Sequence, residues 1–369
     1  MKILFLSNTR GKSYSGPSYS IPAQVKAQSK YDEVFWYNSV ISEKTVWKEY
    51  PYYHDLADFP DKRLKPVLDR FGKPDLIILE QFYNHISDRY LYEVYKSGIP
   101  YLVIPRGEFT RQGQKRSQFK KKAVNLFAAN RIIRKASAVW YLTEQEKLDS
   151  GESWNLNSIV IPNGIDMPSK TVAYGQNQMI KFVSIGRLEP YQKGLDLLIH
   201  SVYELRDRLR GKCRFDLYGA DVDGVANALR DDVKGKGISD LIEIHGPAYG
   251  EEKERVLLSS DVFIMPSRFE GHPMALIEAM SYGLPCLVSK GTNMKQEVEE
   301  EKAGWTFISG LNELKDSVER CMNEHSMYRE YGENAIRLSS QYNWTEIAKR
   351  SHEQMARLTA EGKGSSFHG

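Results

Sequence analysis

Short apolar runs alternate with longer mixed segments along the first half of the chain. Each run is rich in branched or aromatic residues and is bounded by turn formers, a pattern that predicts a buried β-strand. The mixed segments, for example 22–30, 61–71 and 116–135, have the character of helices. Strands that alternate with helices predict a parallel sheet covered on both faces. The predicted strands of this half are Ile3–Ser7, Glu33–Tyr37, Leu76–Glu80, Tyr101–Ile104, Ala138–Leu142 and Ile159–Ile161.

A stretch dense in Pro, Gly and Asn, PNGIDMPSK at 162–170, predicts a domain hinge. Beyond it the pattern restarts with a strand over Lys181–Ile185 and a helix over Gly194–Arg208. We therefore expect an α/β protein of two doubly wound, Rossmann-like domains that face each other across a cleft, with ligands at the carboxyl ends of the strands. The further predicted strands are Phe215–Tyr218, Ile242–Ile244, Val262–Met265, Pro285–Val288 and Trp305–Phe307.

The composition excludes several classes of protein. Hydrophobic residues are 41% and charged residues 27% of the 369 positions, which excludes a mostly disordered chain, a collagen-like fibre and a disulfide mini-protein. The opening MKILFLS is too short for a signal-peptide core and predicts a first buried strand. Cys213, Cys286 and Cys321 are odd in number and lack ligand-like spacing, so we expect a reduced, cytoplasmic protein without structural zinc.

One segment concentrates positive charge. Residues 106–135 hold ten Lys or Arg and one Glu, a net charge of +9, whereas the whole chain carries +3. Apolar residues at Phe119, Ala123, Leu126 and Ile133 would share a helix face, which is compatible with ordinary core packing and a solvated basic face. The alternative is docking to an anionic inner membrane leaflet. Nucleic-acid binding is not expected, because no recognised nucleic-acid module accompanies the charge.

The segment 266–285, PSRFEGHPMALIEAMSYGLP, is the most informative of the chain. It places Glu270 and Gly271 in a loop after a strand, and Glu278 in the following helix. Glycine lets a backbone approach a ligand closely. Two carboxylates eight positions apart can accept hydrogen bonds from hydroxyls on two parts of one ligand.

The same segment predicts an anion site at the start of its helix. Pro273 suits the first helical position, where its missing N–H costs nothing. The amides of Met274, Ala275 and Leu276 are then expected to be unpaired donors. Together with the helix dipole, these donors are suited to a diphosphate.

The joint pattern resembles the E-x7-E signature of retaining glycosyltransferases of the GT-B fold, in particular those of glycosyltransferase family four in its bacterial polysaccharide branch. The resemblance covers nearly the whole chain and is weakest between Ser39 and Lys73. Further matching motifs are IPRGEF (104–109), LTEQE (142–146), IPNGID (161–166) and SIGRLEPYQKGLDLLI (184–199).

The resemblance implies roles for individual residues. Glu278 would accept hydrogen bonds from the donor ribose, and Glu270 would contact hydroxyls of the transferred sugar. Gly16 would approach the diphosphate from the first domain. Relatives often have a pair of glycines at this place, whereas in this chain Gly11 and Gly16 are apart. The alternative is that this loop is a flexible surface turn. The implied donor contacts are Gly16, Arg187, Lys193, Glu270, Gly271, His272, Pro273, Met274, Ala275 and Glu278.

The implied catalytic set is Glu270, Arg187, Lys193 and Arg106. Arg187 and Lys193 lie in a loop after a predicted strand, where two cations can neutralise a nucleotide-sugar diphosphate. Five residues separate the two cations, one more than relatives usually have. In such enzymes the leaving phosphate is argued to deprotonate the acceptor on the front face, so the protein neutralises charge and orients the sugar.

Two positions allow alternatives. Many relatives have a His where this chain has Arg106, which cannot act as a base. Arg106 can stabilise the leaving phosphate, bind an acidic acceptor or form a structural salt bridge. Glu108 is a weaker candidate for a catalytic residue in this loop. The triplet 221–223, Asp-Val-Asp, resembles a metal-binding D-x-D motif, but a turn is favoured because Gly224 follows it.

The domain bounds follow from these assignments. The final helical pattern, 342–358, is expected to cross back onto the first domain, as it does in relatives. The first, acceptor-side domain then comprises 1–167 and about 345–369, and the nucleotide-sugar domain comprises 168–344.

We expect a retaining, metal-independent hexosyltransferase that uses a nucleotide sugar, UDP-sugar favoured over GDP-sugar, and no further cofactor. Its expected acceptor is a lipid-linked precursor of a surface polysaccharide, and its expected location is the cytoplasm and the inner face of the membrane. The alternatives are a transferase acting on a protein or small molecule, and a catalytically silent sugar-nucleotide binding subunit. A non-hydrolysing epimerase shares the fold, but the E-x7-E setting favours transfer.

Overall fold

A computed structural model describes residues 1–12, 16–115, 121, 125, 129–151, 154–175, 178–221 and 224–364. The chain divides into two compact units. The first consists of Met1–Gly164 together with Trp344–Gly369, and the second of Ile165–Asn343. The sequence had placed these boundaries at residues 167 and about 345.

The first unit contains a parallel sheet in the order β3-β2-β1-β4-β5-β6-β7. Its strands are β1 Lys2–Ser7, β2 Glu33–Asn38, β3 Tyr53–Asp55, β4 Leu76–Glu80, β5 Tyr101–Ile104, β6 Ala138–Tyr141 and β7 Ser158–Val160. Its described helices are α1 Pro17–Gln28, α2 Leu64–Phe71, α3 Arg89–Lys96, α4 Arg111–Lys115, α5 Asn130–Lys135, α6 Glu144–Ser150 and, from the end of the chain, α15 Trp344–Gly364. Short 3₁₀ turns occur at Thr45–Glu49 and Phe82–His85.

Strand β1 shows why this sheet is buried on both faces. Its residues Ile3 to Leu6 are all fully buried. Because successive side chains point to opposite faces, Leu4 and Leu6 pack in one core cluster, and Ile3 and Phe5 in the other. The second cluster also contains Ile347 of α15, so the final helix belongs to the core of the first unit.

The second unit contains a parallel sheet in the order β10-β9-β8-β11-β12-β13. Its first strand in sequence lies in the middle, between β9 and β11, which creates a topological switch point. Its strands are β8 Ile180–Arg187, β9 Cys213–Ala220, β10 Ile242–His245, β11 Val262–Met265, β12 Cys286–Ser289 and β13 Gly304–Phe307. Its described helices are α7 Pro190–Lys193, α8 Leu195–Leu209, α9 Ala226–Gly235, α10 Gly250–Leu258, α11 Met274–Ser281, α12 Lys295–Glu300, α13 Leu311–Asn323 and α14 Tyr328–Ser340, with 3₁₀ turns at Lys290–Thr292 and His325–Met327.

Two features of the first unit go beyond the sequence predictions. Helix α1 begins at Pro17, ahead of the mixed segment 22–30, because the Gly16 carbonyl oxygen accepts the first helical hydrogen bonds. Strand β3, Tyr53–Asp55, was not predicted, since it is short and mostly polar. Among the described residues, no helix is both long and apolar enough to cross a membrane.

Candidate functional site

The loops that follow β8 and β11 meet at the switch point of the second unit. The first loop runs from Arg187 into the short helix α7. Gly194 ends that helix with φ of +67°, and a Cβ there would overlap the carbonyl oxygen of Pro266. The close approach of the two loops therefore requires glycine at this position.

Lys193 and Glu270 form an ion pair between these loops. The Lys193 Nζ to Glu270 Oε1 distance is 2.7 Å, with 16% and 8% of the two side chains exposed. The Ser267 hydroxyl donates to the same carboxylate oxygen at 2.6 Å. Asn293 Nδ2 donates to the Glu270 carbonyl oxygen at 2.5 Å, so the loop is anchored by backbone as well as side chain.

Arg187 is exposed at the end of β8, and its Nη2 donates to Gln192 Oε1 at 3.0 Å. Both predicted cations, Arg187 and Lys193, line one pocket at the carboxyl ends of β8, β9 and β11. The residues that line it are Ser184, Ile185, Gly186, Arg187, Leu188, Lys193, Leu195, Leu217, Tyr218, Met265 and Ser267. The five residues between Arg187 and Lys193, one more than relatives usually have, therefore still allow Lys193 to reach the pocket that Arg187 lines.

Arg268 fixes the two loops to each other, a role that the sequence did not predict. Its guanidinium donates to both carboxylate oxygens of Asp196, at 2.7 and 2.9 Å, and to the Tyr191 carbonyl oxygen at 2.7 Å. Its backbone N–H donates to the Gln192 carbonyl oxygen at 2.8 Å. The only sequence signal for Arg268 was its position inside the PSRFEG motif. Its partner Asp196 lies far away in sequence, so the contact itself could not be predicted.

The start of α11 differs from the prediction. Pro273 precedes the helix with non-helical ψ of 70°, and the helix begins at Met274. The Met274 amide donates to the His272 carbonyl oxygen, and the Leu276 amide to the Pro273 carbonyl oxygen, each at 3.0 Å. The prediction of unpaired donors is therefore wrong for these two amides, because the turn at Pro273 directs both carbonyl groups back onto the helix. His272 lies beside this turn, with Nδ1 3.1 Å from the Met274 sulfur.

Glu278 lies in the second turn of α11 and contacts Lys253 of α10. The Lys253 Nζ to Glu278 Oε2 distance is 2.8 Å, with 27% and 32% of the side chains exposed. Each carboxylate of the E-x7-E pair is therefore matched by its own lysine, Glu270 by Lys193 and Glu278 by Lys253. Sequence reasoning missed Lys253 because no motif contains it.

A polar cluster lies on β9 and β10. Asp216, Glu243 and His245 each offer a ligand atom, and these atoms lie within 4.8 Å of one another, the arrangement a metal ion could use. Arg214 already contacts this cluster, since its Nε donates to Asp216 at 3.0 Å and its Nη2 donates to Glu243. The triplet 221–223, for which the sequence favoured a turn over a metal site, lies partly outside the described residues, at 222 and 223.

Tyr218 stacks on His245 at the carboxyl ends of β9 and β10. Their ring centroids are 4.3 Å apart, and the rings are inclined by 11°. Burial raises the pKa of the Tyr218 phenol. Because Tyr218 also lines the pocket of Arg187, this aromatic pair borders the candidate site.

In the first unit, Gly16 and Gly11 have different environments. Gly16 is exposed immediately before α1, and a Cβ there would meet nothing within 4 Å. Gly11 has φ of +77°, and a Cβ there would lie 2.6 Å from the Ser42 hydroxyl. The fold therefore requires glycine at Gly11, whereas Gly16 borders open space.

Arg106 lies in the loop after β5 and is 3% exposed at its side chain. Its backbone φ is +49°, an unusual conformation for a side chain of this size. Its Nε donates to the fully buried Glu80 at 2.7 Å. The remaining contacts of the guanidinium are with Ser20 Oγ at 3.0 Å, Asn163 Oδ1 at 2.9 Å and Gln24 Oε1 at 2.7 Å. The ion pair with Glu80 corresponds to the structural salt bridge, which was one of the three alternatives that the sequence allowed for Arg106.

The IPRGEF and LTEQE motifs meet through Glu146. Its carboxylate accepts hydrogen bonds from the Gly107 amide and, at 2.7 Å, from the Leu142 amide. The neighbouring Glu108 accepts from the Tyr83 amide at 3.1 Å. Burial raises the pKa of Glu108 to about 7. The two motifs thus hold the loop that carries Arg106.

The two parallel α/β units define a GT-B fold, which solved structures share over nearly the whole chain. Sucrose-phosphate synthase from Thermosynechococcus elongatus has a TM-score of 0.74 at 14% identity and covers 98% of this chain and 99% of its own. HepE of Anabaena, in complex with UDP, has a TM-score of 0.77 at 18% identity and covers 97% and 100%.

The second unit also matches a family model, Glycosyl transferases group 1, over residues 173–338. An undecaprenol-diphosphate-linked GlcNAc α-1,3-galactosyltransferase of Escherichia coli is 29% identical over 176 residues, which are 43% of each chain. The amylovoran biosynthesis glycosyltransferase AmsK of Erwinia amylovora is 26% identical over 204 residues, 52% of this chain and 47% of its own. The chain thus spans about half the length of the curated relatives it matches.

Proposed function

We propose that this protein is a retaining, metal-independent glycosyltransferase that moves a sugar from a nucleotide diphosphate sugar to a hydroxyl of a lipid-linked surface polysaccharide precursor. The observation that carries the proposal is the convergence of two cations and a carboxylate at the switch point of the second unit. Arg187 and Lys193 line the same recess there, and Lys193 is paired with Glu270. A site with paired cations and a hydroxyl-accepting carboxylate suits an activated sugar.

The chemistry assigned to the site follows from charge. The donor diphosphate carries negative charge that increases as its bond to the sugar breaks, so Arg187 and Lys193 stabilise the leaving group. Glu270 uses Oε1 for Lys193 and Ser267, which leaves Oε2 for a sugar hydroxyl. Glu278, held by Lys253 through Oε2, accepts from the ribose hydroxyls through its other oxygen.

Retention follows from a front-face reaction. The bond between the anomeric carbon and the diphosphate oxygen breaks, and the acceptor oxygen forms its bond on the same face. The acceptor proton passes to the departing phosphate oxygen, so atoms and charges balance without a protein base. Glu270, Arg187 and Lys193 orient the sugar and neutralise charge in this scheme.

The names of similar proteins support the donor and acceptor that we propose. HepE has been crystallised with UDP-glucose, and the Escherichia coli relative is named for UDP-Gal and a diphosphoundecaprenol-linked sugar. AmsK is named for amylovoran biosynthesis. We accordingly favour a UDP-sugar and a polyprenyl diphosphate-linked glycan.

The test is a transfer assay with a panel of UDP-sugars and GDP-sugars on an undecaprenyl diphosphate-linked acceptor, with the product anomer read by NMR. We expect turnover with a UDP-sugar, retained configuration and full activity in EDTA. Glu278→Ala should weaken donor binding strongly, and Arg187→Ala should lower kcat. Inversion, or activity lost in EDTA and restored by a metal, would contradict the proposal. Near-normal kinetics in both variants would contradict the site.

A further inference from the structure

The turn after β4 carries a glutamine in an unusual backbone conformation. Gln81 has φ of +60° and ψ of +76°, in the left-handed region that residues other than glycine rarely adopt. Glycine adopts this conformation without a steric penalty, so the geometry of the turn alone does not explain a glutamine here. The described residues other than glycine that have positive φ are Lys62, Gln81, Arg106, Asn293 and Lys302.

The surrounding structure holds Gln81 in this conformation. Its neighbours Glu80 and Phe82 are both fully buried, so the residues on either side of it are anchored in the interior. The Gln81 backbone N–H donates to the Ile104 carbonyl oxygen of β5 at 2.9 Å, and the Gln81 carbonyl oxygen accepts from the Asn84 backbone N–H at 3.1 Å. The backbone is therefore fixed on both sides, and its strain is maintained by the fold.

The side chain of Gln81 supports no other part of the fold. It is half-buried, yet no group in the described part of the chain forms a hydrogen bond with its amide. The other residues with positive φ differ, because Lys62 and Arg106 each form an ion pair, and Asn293 donates to a backbone carbonyl oxygen. Lys302 is exposed on a turn. Strained backbone around an unused, half-buried polar side chain is typical of a ligand contact.

Gln81 lies at the switch point of the first sheet. Strand β1 has β2 on one side and β4 on the other, so the strand order reverses between β1 and β4. In such sheets ligands bind outside the carboxyl ends of the strands at this point. Gln81 directly follows β4, and the loop after β1 reaches the same turn, since Asn8 Nδ2 donates to the Asn84 carbonyl oxygen at 3.1 Å.

The carboxylates beside this turn are matched by cations. Glu80, immediately before Gln81, pairs with Arg106 at 2.7 Å, and Asp88, at the end of the turn, pairs with Lys62 at 2.7 Å. The Gln81 amide is uncharged and offers both donor and acceptor atoms, which match adjacent hydroxyl groups. Such a turn suits a neutral ligand rich in hydroxyl groups better than a phosphate or a carboxylate.

We propose that Gln81 binds hydroxyl groups of a neutral sugar residue in the acceptor and thereby contributes to acceptor specificity. The inference rests on the proposed glycosyl transfer, in which Arg187, Lys193 and Glu270 of the second unit are assigned to the donor. Gln81 binds and takes no part in bond breaking. Because its backbone is already fixed, little conformational entropy is lost when the acceptor binds.

The test variant is Gln81→Gly, which removes the side-chain amide and adopts positive φ without strain. Its stability to urea should equal that of the wild type, because relief of strain offsets the greater freedom of glycine in the unfolded chain. Lys302→Gly is the matched control, since it makes the same change at φ of +52° on an exposed turn of the second unit. A loss of stability in Gln81→Gly alone would show that the side chain supports the fold, and would overturn the proposal.

Binding is measured without donor, by NMR titration of the full chain with methyl glucoside, methyl galactoside and methyl glucuronide. We expect the wild type to prefer a neutral glycoside over the glucuronide. Gln81→Gly should bind that glycoside about tenfold more weakly, the loss expected for two neutral hydrogen bonds, and Lys302→Gly should bind it as the wild type does. Equal binding by Gln81→Gly and the wild type, or a preference for the glucuronide, would overturn the proposal.

A transfer assay separates this proposal from the proposed function. With undecaprenyl diphosphate-linked sugars as acceptors, Gln81→Gly should raise the KM for the acceptor about tenfold and leave the KM for the donor unchanged. Wild-type kinetics in Gln81→Gly would overturn the assignment of Gln81 and leave the transferase intact. Glycoside binding that depends on Gln81, without turnover by the wild type, would contradict only the proposed activity. Absence of both binding and turnover would overturn both.

Discussion

The Lys253–Glu278 ion pair allows a sharp test of the proposed ribose contact. Lys253→Met removes the ammonium group but keeps a side chain of similar length. The ionic atoms lie 2.8 Å apart, and about 30% of each side chain is exposed. A pair that is this solvated contributes about 0–1 kcal/mol to the free energy of unfolding, so Tm should change little.

The effect on donor recognition should be larger than the effect on stability. A hydrogen bond from a ribose hydroxyl to an ionised carboxylate is worth about 1.5–3 kcal/mol, or about 10- to 150-fold in kcat/KM. Lys253 fixes one oxygen of Glu278 and thereby orients the other. Coupling between contacting groups is commonly about 1 kcal/mol, so its loss should reduce recognition of the hydroxyl about fivefold.

The assay compares kcat/KM for a UDP-sugar and its 2′-deoxyribose analogue in wild type and Lys253→Met. The variant should discriminate between the two donors about fivefold less than wild type, because Lys253 acts through Glu278. Lys295→Met is the control, since Lys295 pairs with Glu299 at 2.6 Å in the same unit and should leave discrimination unchanged. An equal loss of kcat/KM with both donors would refute the ribose assignment.

Three further predictions concern stability, measured by urea unfolding. Arg106→Ala should destabilise the protein by about 3–5 kcal/mol because it leaves the buried Glu80 carboxylate unpaired; unchanged stability with lost turnover would instead indicate a catalytic guanidinium. Gly194→Ala should cost about 2 kcal/mol or more, because its φ is +67° and a Cβ would meet backbone; Gly235→Ala, which meets nothing within 4 Å in α9, is the control. The pKa of Glu108, about 7 in the folded state, is raised by burial above its usual value near 4.5, so the folded state binds the extra proton between these pH values. Stability should therefore fall by about 3 kcal/mol as pH rises from about 4.5 to 7. Glu108→Gln should reduce that slope, and the part that remains comes from the neighbouring Glu146, whose pKa burial also raises; parallel pH profiles of variant and wild type would exclude the assignment.

Buried strands were the most predictable part of the fold. Leu76–Glu80, Tyr101–Ile104 and Val262–Met265 have the predicted bounds, since a strand buried on both faces is a continuous apolar run. Tyr53–Asp55 has no such run and forms a strand only because its neighbour β2 offers an edge. Helix α1 begins at Pro17, five residues before the mixed segment 22–30 that the sequence marked as helical.

The site shows a similar division between local and distant signals. The position of Glu270 in a loop after β11 was predictable from the adjacent residues, whereas Lys193 and Asn293, which hold it, lie 77 and 23 positions away. The lysine that holds Glu278 lies 25 positions away, and the aspartate that holds Arg268 lies 72 positions away. Such partners are set by the packing of α10, α8 and the β11 loop, which no local pattern encodes. The turn at Pro273 also depends on backbone angles that residue type alone does not fix.

The return of the last helix to the first unit has a consequence for the order of folding during synthesis. Trp344 packs on Gly164 so closely that a Cβ at Gly164 would lie 2.5 Å from the indole ring. Met355 of α15 is fully buried in the same core cluster as Ile21 of α1. That core stays incomplete until residues 344–364 have been synthesised, whereas the uninterrupted stretch 165–343 can close its own core beforehand. The first unit is therefore begun before the second and completed after it, and its apolar surface stays exposed in the meantime.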